Sequence, residues 1–134
     1  MALQIEVTHG GGKKIDAALG KFTINTDQAV DGGGEGSAPE PFGYFLASLA
    51  TCAGIYVIGF CQARKIPTDG IALTQDHTFD EKTGKLVGVE LRIHVPQSFP
   101  EKYRVPLERV AGKCTVKKVM ETPPEFDIRT VVAG

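Results

Sequence analysis

Residues 41–63 read PFGYFLASLATCAGIYVIGFCQA, a stretch without one charged side chain. Pro39-Glu40-Pro41 leads into it. Proline is tolerated in the first turn of a helix, and an acid there complements the helix dipole. Arg64 and Lys65 follow at the far end, and Pro67 enforces a stop. The stretch therefore predicts a single helix of roughly 22–25 residues, about 35 Å long at 1.5 Å per residue. It is apolar nearly all round, so burial on nearly every side is expected.

A run of this length could also span a bilayer, and its acidic and basic flanks would orient it there. Against that stand Ser48, Thr51, Gln62, three glycines and two cysteines within the run, and strand-like sequence on both sides of it. The core reading is preferred, and it has a consequence. A chain of 134 residues has limited mass to surround such a helix. A second copy is expected to supply the rest, with Gly43, Ala47, Ala50, Gly54 and Gly59 allowing two helices to approach closely. The expectation is an obligate homodimer.

Outward from the helix, both flanks read as strands. Before it, LQIEVTH (3–9), KKIDAAL (13–19) and KFTINTD (21–27) alternate at period two, with breaks at Gly10-Gly11-Gly12 and Gly20-Lys21, as in an antiparallel meander. DGGGEGSA (31–38) reads as a loop whose glycines will not order themselves. After the helix, residues 70–79 and 85–96 read as two strands joined through Asp80–Gly84. Residues 99–113 are helical in pattern, with Tyr103, Leu107, Val110 and Ala111 on one face and a break or bend expected at Pro106. A short helix is expected over Cys114–Glu121, stopped by Pro123-Pro124, and Glu125–Val132 reads as a closing strand. The order is that of an α+β protein forming a single domain, 1–134, with antiparallel sheets around a long buried central helix.

Composition bounds the function. Hydrophobic residues make up 42% and charged residues 23%, ordinary values for a globular protein, and the net charge is −1 with Lys and Arg scattered. Neither a nucleic-acid footprint nor a membrane-binding basic surface is present. Three cysteines are too few for a disulfide scaffold. The N-terminal residues do not read as a signal peptide, so a cytoplasmic location with reduced thiols is expected.

Cys52 and Cys61 are nine residues apart, which puts them on opposite sides of the helix at about 100° per residue. Cys61 reads as a small buried hydrophobe. Cys52 reads either as packing or as a nucleophile held away from water. Cys114 follows Gly112-Lys113 and opens a segment with Lys117 and Lys118 close by, where a helix N-terminus and cations should depress its pKa. Two cysteines in different elements can meet in space, one attacking and one resolving. His9, His77 and His94 are scattered, and no Cys/His cluster has metal-ligand spacing. DGGGEG matches neither the phosphate loop nor the dinucleotide fingerprint.

The segment APEPFGYFLASLATCAGIYVIGFCQARKIPTDGI (38–71) resembles the central helix of the OsmC/Ohr family, with its form P-x-P-x-E-L-L-x-A-A-L-x-x-C. FPEKYRVPLERVAGKCTVKKVM (99–120) resembles the family's second cysteine motif, often near C-P-V-H. The resemblance covers about the whole chain. It implies an OsmC-like intertwined homodimer and thiol-dependent reduction of organic hydroperoxides in oxidative or osmotic stress defence. On that resemblance Cys52 is the peroxidatic residue and Cys114 the resolving one. No metal or bound cofactor is implied, and a lipoyl-type dithiol is the external reductant. Phe45, Leu49, Tyr56 and Phe60 would offer an apolar surface to the substrate. The sequence departs from the family at Gly43, which stands where its helix-start glutamate is found. It departs again in having no arginine before Arg64, where the family carries an activating arginine in its first strands. Lys13, Lys14 or Lys21 could supply a cation and Glu40 an acid, and Thr115 and Lys117 replace the Pro and His of the second motif. These departures keep open another class, a non-catalytic dimer acting as a redox sensor or as a small apolar ligand-binding module.

Overall fold

The computed structural model describes residues 3–133 and packs the chain as two compact units, Met1–Ala47 and Ser48–Gly134. In the first, β1 (Glu6–His9), β2 (Ile15–Leu19) and β3 (Phe22–Thr26) form the expected meander, in the order β1-β2-β3. The register aligns Val7, Ala17 and Ile24 in one row. Thr8, Asp16 and Asn25 form the adjacent row on the opposite face, where the Asn25 amide donates to Asp16 at 2.9 Å. Leu19 pairs with Phe22 across the two-residue turn, and Gly20 takes φ +57° there, the left-handed conformation a tight hairpin demands.

The glycine-rich stretch after β3 is ordered, contrary to expectation. Its order comes from Asp27, a residue just outside it. The Asp27 carboxylate is 1% exposed and accepts from the backbone N–H groups of Gln28 (2.7 Å), Glu35 (3.3 Å) and Ser37 (3.0 Å) and from the Ser37 hydroxyl (2.6 Å). The Ser37 hydroxyl, its N–H and the Gln28 N–H hold this carboxyl down at about 2. Lys14 adds an exposed ion pair to Glu35 at 3.0 Å. The glycines allow the chain to wrap this closely: a Cβ at Gly34 would stand 2.1 Å from the Gln28 carbonyl oxygen.

Helix α1 (Pro41–Ala63) has the expected bounds. The Glu40 carbonyl accepts from the N–H groups of Gly43 and Tyr44, which starts the helix. At the other end Lys65 turns left-handed (φ +56°), so that the Ile66 N–H reaches back to the Cys61 carbonyl. By length and composition the helix is apolar enough to cross a membrane. In the second unit it buries Leu49, Ala53, Val57, Phe60 and Cys61, the i, i+4, i+8 stripe of a helix lying on a core. Burial on nearly every side is not met within one chain, since Ile55 is 65% exposed. Within the second unit, the layer set against α1 covers one face of it.

The layer consists of the antiparallel hairpin β4 (Ala72–Phe79) and β5 (Leu86–His94) and of α2 (Arg104–Ala111). Leu73, Leu91 and Ile93 pack against a core of Ala53, Val57, Phe60 and Cys61 with Phe99, Leu107 and Ala111. Burying a side chain the size of Val57 or Leu107 contributes about 1.5–3 kcal/mol. Pro106 neither breaks nor bends α2. It occupies the first turn, where a missing N–H costs nothing, and the irregularity falls earlier as a 3-10 turn over Glu101–Tyr103. Helix α3 (Thr115–Glu121) follows.

The closing strand expected over Glu125–Val132 does not form. These residues are irregular, and Phe126, Ile128, Val131 and Val132 are 82%, 92%, 81% and 86% exposed. A strand needs a neighbour to take its backbone hydrogen bonds, and neither sheet of this chain pairs with the segment.

Candidate active site

Two elements of the second unit bring two thiols together. Cys52 projects from the middle of α1 and is half-buried. Cys114 is the N-cap of α3, and only 2% of it is exposed. Its sulfur accepts the Lys117 backbone N–H at 3.3 Å, filling the place that a Ser or Asp oxygen takes in most caps. Cys52 is a near neighbour of it in the same chain, close enough to act on the Cys114 thiol. Both are free thiols. Cys61 faces the opposite side of α1, fully buried in the core, and burial pushes its thiol up against a small opposing effect of Arg64.

The depressed pKa expected for Cys114 is not found, and its thiol is pushed up. Burial is the largest cause, the neighbouring Cys52 acts in the same direction, and the Lys117 N–H and charge oppose both. The Lys117 ammonium is spent elsewhere, on the Gly112 carbonyl at 3.3 Å and the Glu121 carboxylate at 3.6 Å. It is half exposed, so its field at the sulfur is screened by water.

Cys114 opens onto a cleft of about 870 Å³ between β5, α2, α3 and one face of α1. Its walls are mostly apolar, with Leu49, Ala53, Leu91, Leu107 and Met120 prominent, and Arg104 and Lys117 also border it. Tyr56 and Phe60 are not among its lining residues. They border a shallower groove of about 390 Å³ with Ile55, Gly59 and Val110. The Phe60 ring is largely core, meeting Tyr103 edge-on at 5.7 Å, with the Arg64 guanidinium 3.6 Å from its centre. The Tyr56 hydroxyl stands 3.5 Å from the Thr115 hydroxyl. Phe45 belongs to the first unit, stacked on Phe42 at 5.7 Å. Glu40 belongs there too, its carboxylate accepting from the Ala29 N–H at 3.2 Å. Of the lysines considered as cations, Lys14 is committed to Glu35 and Lys21 lies 5.5 Å from the Phe22 ring.

Two features escaped sequence reasoning. One is the Lys117 main-chain N–H as a partner of Cys114, signalled in retrospect by a cysteine three residues before it at a helix start. The other is Thr115, passed over as a replacement for proline. Among the described residues no group of three or more His, Cys, Asp or Glu side chains gathers to hold a metal ion.

Comparison with known proteins gives a consistent picture. A family described as OsmC-like protein matches residues 34–129. No curated protein sequence matches closely enough to add to this. Among solved structures, a protein of Psychrobacter arcticus assigned to osmotic stress induction and detoxification response superposes with a TM-score of 0.73 at 23% identity, over 88% of this chain and 87% of that one. An OsmC-like protein of Mycoplasma pneumoniae gives 0.69 at 13% identity, over 92% and 89%. An organic hydroperoxide resistance protein, OsmC, of Legionella pneumophila gives 0.59 at 17%, over 90% and 89%. At these identities the likeness carries the fold, α+β with antiparallel sheets and a long helix.

Proposed function

Since the chain belongs to the OsmC-like family, we propose that it reduces organic hydroperoxides with Cys52 as the attacking thiol and Cys114 as the resolving one. The observation that supports this is that the two thiols are neighbours within one chain, with Cys114 lining an apolar cleft that Leu49 and Ala53 of α1 also wall. The Cys52 thiolate attacks the O–O bond; the alcohol leaves, and the sulfur becomes a sulfenic acid. Cys114 then attacks that sulfur, the S–O bond breaks, and water leaves with the Cys114 proton. A small dithiol of the lipoyl kind returns both thiols by exchange. The raised pKa of Cys114 suits a residue that stays protonated until the sulfenic acid has formed.

The apolar cleft favours a hydroperoxide with a hydrocarbon body over hydrogen peroxide, and Leu49 is the proposed contact residue best supported by it. Phe45, Tyr56 and Phe60 remain proposed contacts, and Glu40 a proposed acid. The chain is proposed to act as one domain in a cytoplasmic homodimer. The exposed Ile55 on α1 and the exposed apolar residues of 125–132 support a second copy covering what one chain leaves open. The test is turnover of cumene hydroperoxide with dihydrolipoamide. The wild type should turn over, and Cys52→Ser should fall to background. Equal background rates for both would overturn the enzyme reading.

The second reading, a redox sensor or apolar-ligand module, draws on Gly43 and on the absence of any arginine before Arg64. It expects both thiols to survive hydroperoxide treatment in the reduced form, or to oxidise once without dithiol-driven turnover.

A further inference from the structure

We propose that Tyr56 and Thr115 are positioning residues that hold Cys114 within attacking range of oxidised Cys52, an inference that rests on the hydroperoxide-reductase reading above. Tyr56 is one helical turn beyond Cys52, so both side chains leave α1 on the same face. Thr115 is the first residue of α3 and adjoins Cys114, its cap. Helix α1 and the start of α3 therefore come together at the Tyr56 and Thr115 hydroxyls, 3.5 Å apart, beside the neighbouring Cys52 and Cys114.

Little else fixes α3. It has seven residues, buries none of them, and is far shorter than a helix that persists alone in water. Among the described residues its polar ties to the rest of the chain are the Cys114 cap and the reach of the half-exposed Lys117 ammonium to the Gly112 carbonyl, while the Lys117–Glu121 pair lies within the helix itself. The cap fixes how α3 starts relative to Cys114. The hydroxyl contact fixes where that start lies relative to α1, and so relative to Cys52.

The chemistry gives this contact a distinct signature. In the first step the O–O bond breaks, an S–O bond forms on Cys52, and the alcohol leaves protonated. The Cys52 sulfenic acid then has two fates. Attack by Cys114 forms the S–S bond and releases water. A second hydroperoxide molecule instead oxidises the sulfur to sulfinic acid and leaves as alcohol, a branch that a dithiol does not reverse. The first fate depends on where Cys114 stands, and the second does not. A loosened α3 therefore shifts the partition toward sulfinic acid.

The experiment mixes reduced protein with excess cumene hydroperoxide and resolves disulfide from sulfinic acid by intact mass. Thr115→Val keeps the shape of the side chain and removes the hydroxyl. Its disulfide-to-sulfinic ratio should fall by up to about fivefold, the ceiling set by one ordinary hydrogen bond, while its rate of first thiol oxidation stays at the wild-type value. Tyr56→Phe should lower the same ratio, and Thr115→Ser should restore it. A wild-type ratio in both Thr115→Val and Tyr56→Phe overturns this inference and leaves the reductase reading standing. A wild type that forms neither product overturns the reductase reading and this inference with it.

Discussion

Replacing Cys114 by serine and by alanine separates its capping role from its chemical one. The sulfur accepts the Lys117 N–H at 3.3 Å from a site only 2% exposed. Loss of a side-chain N-cap costs about 1 kcal/mol, within a range of about 0.5–2. Removing a methyl-sized atom from a packed site leaves a void worth about 1 kcal/mol more. Cys114→Ala should therefore be about 2 kcal/mol less stable than the wild type. Serine keeps an acceptor at the same place, a stronger one than sulfur, so Cys114→Ser should recover about 1 kcal/mol of this loss. The assay is urea unfolding at neutral pH in excess reductant, at one fixed protein concentration because association adds to apparent stability. With a slope of about 1–3 kcal/mol per molar urea, the two midpoints should differ by about 0.3–1 M. An alanine variant as stable as the serine variant would refute the reasoning. Cys114 would then be a small hydrophobe, and α3 would start without a cap.

Other outcomes follow from the first unit and from Cys61. Gly34→Ala forces a Cβ to 2.1 Å from the Gln28 carbonyl oxygen and 2.7 Å from the Asp27 carboxylate. The 28–37 loop should open and become the first site of proteolytic cutting, and a cleavage pattern like that of the wild type would refute this. Asp27 is held at about 2, below its unfolded value, so its contribution is present above about pH 4 and is lost as pH falls through 2. Asp27→Asn should lower stability at neutral pH and flatten the acid limb of the stability profile, and an unchanged limb would count against it. Cys61 is raised in the fold, so its contribution is full below about pH 8.5 and declines as pH rises beyond it. Cys61→Ala should show a shallower alkaline decline than the wild type in urea midpoints taken across that range.

The parts of the fold that were legible are those whose signal lies within the segment. Helix α1 has its apolar run, its flanking prolines and its basic end in one stretch, and the observed bounds coincide with them. The turn at Gly20-Lys21 is likewise local, a two-residue connection between alternating runs. Two misreadings share the opposite cause. The order of the glycine-rich loop depends on Asp27, whose carboxylate collects N–H groups from three later positions, and no count of glycines shows that. The strand expected at the end of the chain has the right alternation, with Phe126 and Ile128 two apart, yet alternation describes only a strand's own surface. Whether it forms depends on an edge coming beside it, and neither described sheet pairs with the segment.

The site divides along the same line. The sequence marked Cys52 and Cys114 because each sits in a recognisable context, and their nearness depends on where α1 and the start of α3 lie within one unit. The sign of the Cys114 shift could not be read from its neighbours. Lys113, Lys117 and Lys118 are visible cations, and a helix start is visible too, and both argue for a thiolate. The burial that outweighs them is built by residues far away in sequence, since the cleft beside Cys114 is walled by Leu49, Leu91 and Leu107. Lys117 does act on the sulfur, through its main-chain N–H, while its ammonium turns to Gly112 and Glu121. The effective donor at this cysteine is therefore a property of position in the helix, available to any residue but proline. It follows that Lys117→Ala should leave the cap in place and shift Cys114 upward only by the small screened charge that is lost. A large rise in the Cys114 pKa in that variant, measured by the pH dependence of its alkylation in a Cys52→Ser, Cys61→Ala background, would show that the ammonium and not the backbone governs this thiol.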